Sequence, residues 1–156
     1  MTRSSTALEL EVRDLPAETF AFVVRRVDAA DAGEFIDGAI GRVGRFAQTH
    51  GGPAGPPLAI VSAPDDEGAL VIEAGWPVHA GTEPEPPVEI RTLAPTRAVV
   101  HRHEGPYEDF GAPFYSELLA QLHEAGFTPV SGPRERYVRG PAPGRPPLTE
   151  VAWPIA

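Results

Sequence analysis

The chain contains no cysteine and no lysine. Without cysteine there is no disulfide framework, no zinc ribbon and no thiolate nucleophile. Without lysine, Schiff-base catalysis, a Walker-type phosphate lysine and lysine general-acid chemistry are excluded. All 13 basic residues are arginine, a usage that a GC-rich genome explains without selection for function. Long apolar runs are missing too, since no stretch approaches the roughly 18 residues that a membrane span needs. The opening segment, Met1 to Thr6, has no apolar signal core, so the expected location is the cytoplasm. Positive charge is scarce: 13 basic residues face 22 acidic ones, for a net charge of −9. That balance argues against nucleic acid, because neutralising phosphates needs a basic footprint. Gly-rich phosphate loops are absent, and Ser62, Ser116 and Ser131 stand in no nucleophile-elbow motif.

What is present is length, apolar content and an internal repeat. At 156 residues and 42% hydrophobic content the chain suits a single domain, residues 1–156, with a real core. Its 19 Pro and 16 Gly imply many loops. Val71-Ile72-Glu73-Ala74-Gly75-Trp76-Pro77-Val78 returns at the end of the chain as Leu148-Thr149-Glu150-Val151-Ala152-Trp153-Pro154-Ile155, with Glu, Trp and Pro each 77 positions on. Val12-Arg13-Asp14-Leu15 is echoed by Ile90-Arg91-Thr92-Leu93, and Gly55-Pro56-Pro57 by Ser131-Gly132-Pro133. Two copies are too few for a solenoid. They predict a duplicated domain, halves about 8–79 and 88–155, with a pseudo-twofold cleft where a small molecule would bind.

Each half reads as strand, strand, helix, strand, strand. In the first, alternation predicts a strand over 8–12, ended by Pro16, then a denser apolar strand over 20–27. Asp28 or Asp31 can cap a helix carrying Phe35, Ile36, Ala39, Ile40, Val43, Phe46 and Ala47 on one stripe up to Gly51-Gly52. Gly38, Gly41 and Gly44 each lower its propensity by about 1 kcal/mol, so packing must hold it. Strands over 56–62 and 69–78 follow. A Pro-rich connection over 79–87 leads to strands over 88–93 and 96–103, a helix over 108–125, and strands over 134–139 and 148–155. The order predicts an α+β fold, a mostly antiparallel concave sheet with two helices against its outer face.

Glu135 draws attention first. Period two puts Glu135 and Tyr137 on one sheet face and Arg134 and Arg136 on the other. A Glu beside a Tyr on a concave face could attract a cation by charge and ring quadrupole. Spacing alone is also served by an exposed strand with Arg-Glu-Arg alternation, the commoner arrangement. Glu73 and Glu150, equivalent in the repeat, could converge across the axis and share a raised pKa, or face solvent. Trp76 and Trp153 could line the cleft or be packing corners. His101 and His103 share a strand face, but no third ligand stands at motif spacing, so no metal is expected. Gly105-Pro106 would turn that strand into the helix and leave Tyr107 at the cleft mouth.

Taken in order, Glu73-Ala74-Gly75-Trp76-Pro77-Val78, His103-Glu104-Gly105-Pro106-Tyr107, Gly132-Pro133-Arg134-Glu135-Arg136-Tyr137 and Thr149-Glu150-Val151 through Pro154-Ile155 resemble the GyrI-like small-molecule-binding family. The same module serves as the effector-binding domain of AraC-type and MerR-type drug-sensing regulators. The resemblance covers about residues 8 to 155. It implies a cleft for hydrophobic, often cationic molecules, with a buried Glu as counter-charge at the position of Glu135, and aromatic walls at Tyr107, Tyr137, Trp76 and Trp153. No cofactor is expected, and no membrane or nucleic-acid partner. A strand begins at residue 8 with no helix-turn-helix before it, so a stand-alone sensor or sequestering module is expected. Some similar proteins hydrolyse strained, cyclopropane-containing genotoxins, and there Glu135 would act on water while Tyr137 polarises the electrophile. Binding asks less geometry of these residues than turnover does.

Overall fold

A computed structural model describes residues 8–156. Eight strands form one antiparallel sheet: β1 (Glu11–Leu15), β2 (Glu18–Asp28), β3 (Leu58–Val61), β4 (Ala69–Val78), β5 (Glu89–Leu93), β6 (Thr96–Glu104), β7 (Arg134–Arg139) and β8 (Leu148–Ile155). Helix α1 (Ala32–Gln48) follows β2, and α2 (Ala112–Glu124) follows β6. Each half therefore supplies four strands and one helix, and the fold is α+β.

The strand order is β1-β6-β8-β7-β3-β4-β2-β5. Read from either end it is the same order with the halves exchanged: β1 answers to β5, β6 to β2, β8 to β4 and β7 to β3. The registers agree, for Trp76 lies opposite Ala21 and Trp153 opposite Val99. The two tryptophans thus hold equivalent places. A feature invisible in the sequence is that the first strands change sides. β1 pairs only with β6 of the second half, and β5 only with β2 of the first. The midline runs between β3 and β7, where Ala59 faces Glu135.

Two boundaries depart from expectation. The first strand begins at Glu11, not at residue 8, because the Glu9 carbonyl accepts a bond from the His101 ring, 3.0 Å away, instead of joining the ladder. The second helix begins at Ala112, not 108: Tyr107–Asp109 is a 3-10 turn, and Gly111 is extended ahead of Pro113 in the first helical turn, a position where proline is at home. At its other end Gly126, φ +87°, carries the chain out of α2, as a left-handed helix exit requires.

Both helices pack on one face of the sheet. Ala39, Val43, Phe46 and Ala47 of α1 are buried against Ala21, Ile72, Ala74 and Val78. Leu122 of α2 is buried with Val99 and Ile155, and Leu118 is fully covered as well. The helix-free face has its own apolar cluster, Phe20, Phe22, Leu58 and Leu93. Trp76 ties α1 to the sheet by donating from Nε1 to the Ile40 carbonyl at 2.8 Å. Its indole lies on Gly44, where a Cβ would sit 3.0 Å from Nε1. This contact accounts for a glycine that helix propensity disfavours. Gly44→Ala should therefore destabilise the protein by about 1 kcal/mol, because overpacking outweighs the propensity gain. In a Trp76→Phe background the same change should stabilise it. Urea unfolding of the four variants checks the sign reversal.

Candidate functional site

β7 places Glu135 at the middle of the sheet, between Val151 of β8 and Ala59 of β3. Its equivalent across the midline is thus an alanine, and the carboxylate stands alone. Ala59 packs in the cluster beneath α1, so Glu135 points to the helix-bearing face. A concave face carrying Glu135, with helices on the reverse, was expected; here helices and carboxylate share one face, because Tyr115 of α2 reaches down to bind it. Glu135 is only 8% exposed. Tyr137 donates its hydroxyl to Oε1 at 2.7 Å, and Tyr115 donates to Oε2. Among the described residues no arginine or histidine pairs with it. A buried carboxylate with phenol donors and no cation is an uncommon arrangement, since buried charges are normally paired.

The electrostatics follow from that isolation. Burial raises the Glu135 carboxyl above its ordinary pKa, and the two phenol hydrogen bonds draw it back down by stabilising the ionised form. Tyr115 and Tyr137 are pushed well above the usual phenol value, first by burial and then by the neighbouring Glu135 charge. Both phenols therefore stay protonated and able to donate.

Aromatic rings close the site. Tyr107, 40% exposed, meets Tyr137 edge-on with centroids 5.7 Å apart. Burial raises its phenol pKa, and the charge of Asp37 on α1 raises it further. Tyr115 meets Trp153 edge-on at 6.1 Å, and Trp153 Nε1 donates to the Ser131 carbonyl at 2.8 Å. Tyr137 also packs against the cluster beneath α1. The carboxylate and its rings thus connect the sheet under α2 to the sheet under α1.

Other candidates lie elsewhere. Glu73 and Glu150 do not converge. Both occupy the helix-free face, where Arg91 binds Glu73, and Arg13 and Arg102 bind Glu150. Arg13 and Arg91 are equivalent residues of the exchanged strands β1 and β5, so each carboxylate is held by the other half. Trp76 is a packing residue under α1. An open recess of about 1220 Å³ lies beside the end of β2, among Val23, Arg25, Phe35, Gly38, Pro86 and Ile90. It opens because β5 covers only Glu18 to Phe22 of β2. His103 Nε2 is engaged by Asp109 at 2.7 Å, and among the described residues no group of His, Cys, Asp and Glu could hold a metal ion.

Tyr115 is the residue that sequence reasoning missed. Helical spacing set it beside the apolar stripe of α2, and only its hydroxyl distinguished it from core. His101 and Thr149 were missed as buried polar groups of the same face. His101 Nε2 and Thr149 Oγ1 are enclosed without partners among the described residues.

Solved structures share this fold. The C-terminal domain of EcmrR superposes with a TM-score of 0.70 at 18% identity, covering 97% of this chain and 99% of that one. SAV2435, solved bound to tetraphenylphosphonium, gives 0.66 at 16% identity, with 96% and 94% covered. A protein described as a hydrolase from Listeria innocua gives 0.65 at 13% identity, with 97% and 94% covered. No curated protein sequence matches. The family model of the GyrI-like small molecule binding domain matches residues 8–156. A match over all the described residues settles the family: the chain belongs to the GyrI-like small molecule binding domains.

Proposed function

We propose that the chain binds a hydrophobic small molecule, cationic or aromatic, in a cleft between its halves, and so senses or sequesters it. The observation that carries this reading is Glu135: a buried carboxylate satisfied by two phenols and by no positive charge. A carboxylate held ionised in a low-dielectric place attracts a cation more strongly than it would in water. Tyr107, Tyr137, Tyr115 and Trp153 add ring faces, which favour both apolar and cationic surface. Glu73 and Glu150 take no part, being neutralised on the far face, and Trp76 contributes only through the packing of α1. SAV2435, alike in fold, was solved with a lipophilic cation, which makes tetraphenylphosphonium the probe of choice. Calorimetric titration should show saturable binding of it, with weaker binding of a neutral aromatic compound of matched shape. Equal affinities for the two, or no binding of either, would remove Glu135 from the reading.

A second reading is favoured by one contact. Tyr137 and Glu135 are joined at 2.7 Å, so a carboxylate and a phenol stand side by side as a hydrolysis of a strained electrophile would require. In that case Glu135 orients or deprotonates water while Tyr137 polarises the ring that opens. Incubation with a cyclopropane-containing electrophile, followed by mass spectrometry for the water adduct, distinguishes turnover from binding.

A further inference from the structure

On the helix-free face, behind the site just described, a second group of charges spreads across the sheet. Among its arginines are Arg13, Arg91, Arg102, Arg134 and Arg136. Four are matched. Arg13 binds Glu11 and Glu150, Arg91 binds Glu73, Arg102 binds Glu150, and Arg136 binds both oxygens of Glu18, at 2.8 and 2.6 Å. Arg134 has no hydrogen bond and no ion pair among the described residues. It is half-buried, as are Arg13, Arg136 and Arg139; each of those three is engaged, Arg139 with Glu104 and the Pro146 carbonyl. A guanidinium on the protein surface is satisfied by water. Half-burial leaves Arg134 fewer water partners for its five donors than a fully exposed guanidinium has.

The surroundings are concave. A recess of about 200 Å³ is lined by Arg134, Arg13 and Arg136 together with Asp14, Glu18 and Glu150. That is room for one small polyatomic ion and its nearest water. Burial disfavours the Arg134 cation most; the charge of Glu18 supports it, and Arg136 and Arg91 repel it. An incoming anion would relieve the burial cost and the repulsion at once. Planar guanidinium donors fit the paired oxygens of a carboxylate or phosphate. Of the carboxylates that line the recess, Glu18 is bound to Arg136 and Glu150 to Arg13 and Arg102, while Asp14 makes no ion pair among the described residues.

We propose that the helix-free face binds a small oxyanion, a phosphate or carboxylate group, on Arg134 in the recess walled by Arg13 and Arg136. This site is separate from Glu135 and of opposite charge, and stands whether or not the ligand proposed above binds there. A molecule of net charge −9 does not collect anions by its overall field, so saturable uptake would have to be local.

The test uses the whole protein, titrated with inorganic phosphate and separately with acetate, each against sodium chloride at matched ionic strength. Expected is saturable binding of phosphate, acetate or both, and at least a 10-fold loss of affinity in Arg134→Gln. Arg42→Gln removes the same charge from α1, where Arg42 is exposed and makes no ion pair among the described residues, and should leave the affinity unchanged. Amide chemical shifts of the wild-type protein should move first at Ile60, Arg134 and Ala152, neighbours across the ladders. This readout holds even where Arg134→Gln fails to fold. No saturation beyond chloride with either anion, equal losses in the two variants, or shifts scattered over the surface would each overturn the site.

Discussion

Glu135→Gln should weaken tetraphenylphosphonium binding roughly 10- to 150-fold, while a neutral aromatic compound of matched shape loses far less. Glutamine keeps the size of the side chain and one acceptor oxygen, so aromatic contact area is untouched. What disappears is a charge-assisted contact of about 1.5–3 kcal/mol, and that range converts to the stated fold-change. The pH dependence has a fixed sign. The cation prefers the ionised carboxylate, so wild-type affinity should fall as the pH drops through the raised Glu135 pKa, while the glutamine variant stays flat. Calorimetry of both proteins with both compounds across that range measures this. On the hydrolase reading the same substitution abolishes turnover and leaves binding of the electrophile nearly intact. Equal, small losses for the two compounds with turnover unchanged would reduce Glu135 to a strand residue.

Removing the two phenol donors together should cost more than removing the charge they serve. Tyr115→Phe with Tyr137→Phe leaves an ionised carboxylate buried with no donor. Each bond to a charged group contributes roughly 1.5–3 kcal/mol, so the full loss is about 3–6 kcal/mol where Glu135 remains ionised. The protein can escape by taking up a proton, which fixes the sign of the pH effect. Loss of the donors raises the folded-state pKa further above the unfolded value. A group so raised contributes stability that is fully present below its unfolded pKa and lost as the pH rises through its folded pKa. The double variant should therefore match the wild type in mildly acidic solution and fall away from it towards alkaline pH. For a chain of this length each kcal/mol moves Tm by about 2–4 °C. Adding Glu135→Gln to the double variant should remove the pH dependence. Melting curves that stay parallel to the wild type at every pH would show that the tyrosines only fill space.

The repeat made the fold legible because its most conspicuous letters are structural. Trp76 and Trp153 stand at matched points of β4 and β8, and the Pro after each marks the same place in the ladder. The α1 stripe was legible for the same reason: a buried face needs apolar residues at helical spacing. Pairing across the halves was not legible. Nothing local in Val12-Arg13-Asp14 says that its neighbour will be Val99, because partner choice depends on which edge remains open after the hairpins close. From this one omission the misreading of Glu73 and Glu150 follows, since their arginines arrive on the exchanged strands. In the site, Glu135 and Tyr137 were visible by their period-two spacing on β7. Tyr115 was not, for a phenol within a helical apolar stripe resembles core until its hydroxyl is seen to have a partner. Arg134 likewise looked like half of a charge alternation, and only its lack of an ion pair among the described residues sets it apart.

The exchange of β1 and β5 also bears on how the molecule assembles and comes apart. A strand that closes the far edge of the other half links residues 81 to 89 positions apart, from Leu15 with Thr96 to Glu11 with Val100. Loops of that length are entropically slow to close, so the last rungs of the sheet form late and folding is expected to be slow for the chain's size. Neither half can loosen privately: melting the first half withdraws β1 from β6, and melting the second withdraws β5 from β2. The sheet behaves as a mutual clasp, in which local opening is coupled to the whole. Rigidity of this kind suits a carboxylate whose environment depends on phenols delivered from a helix and from a neighbouring strand position, because the donors and their acceptor are lost only together.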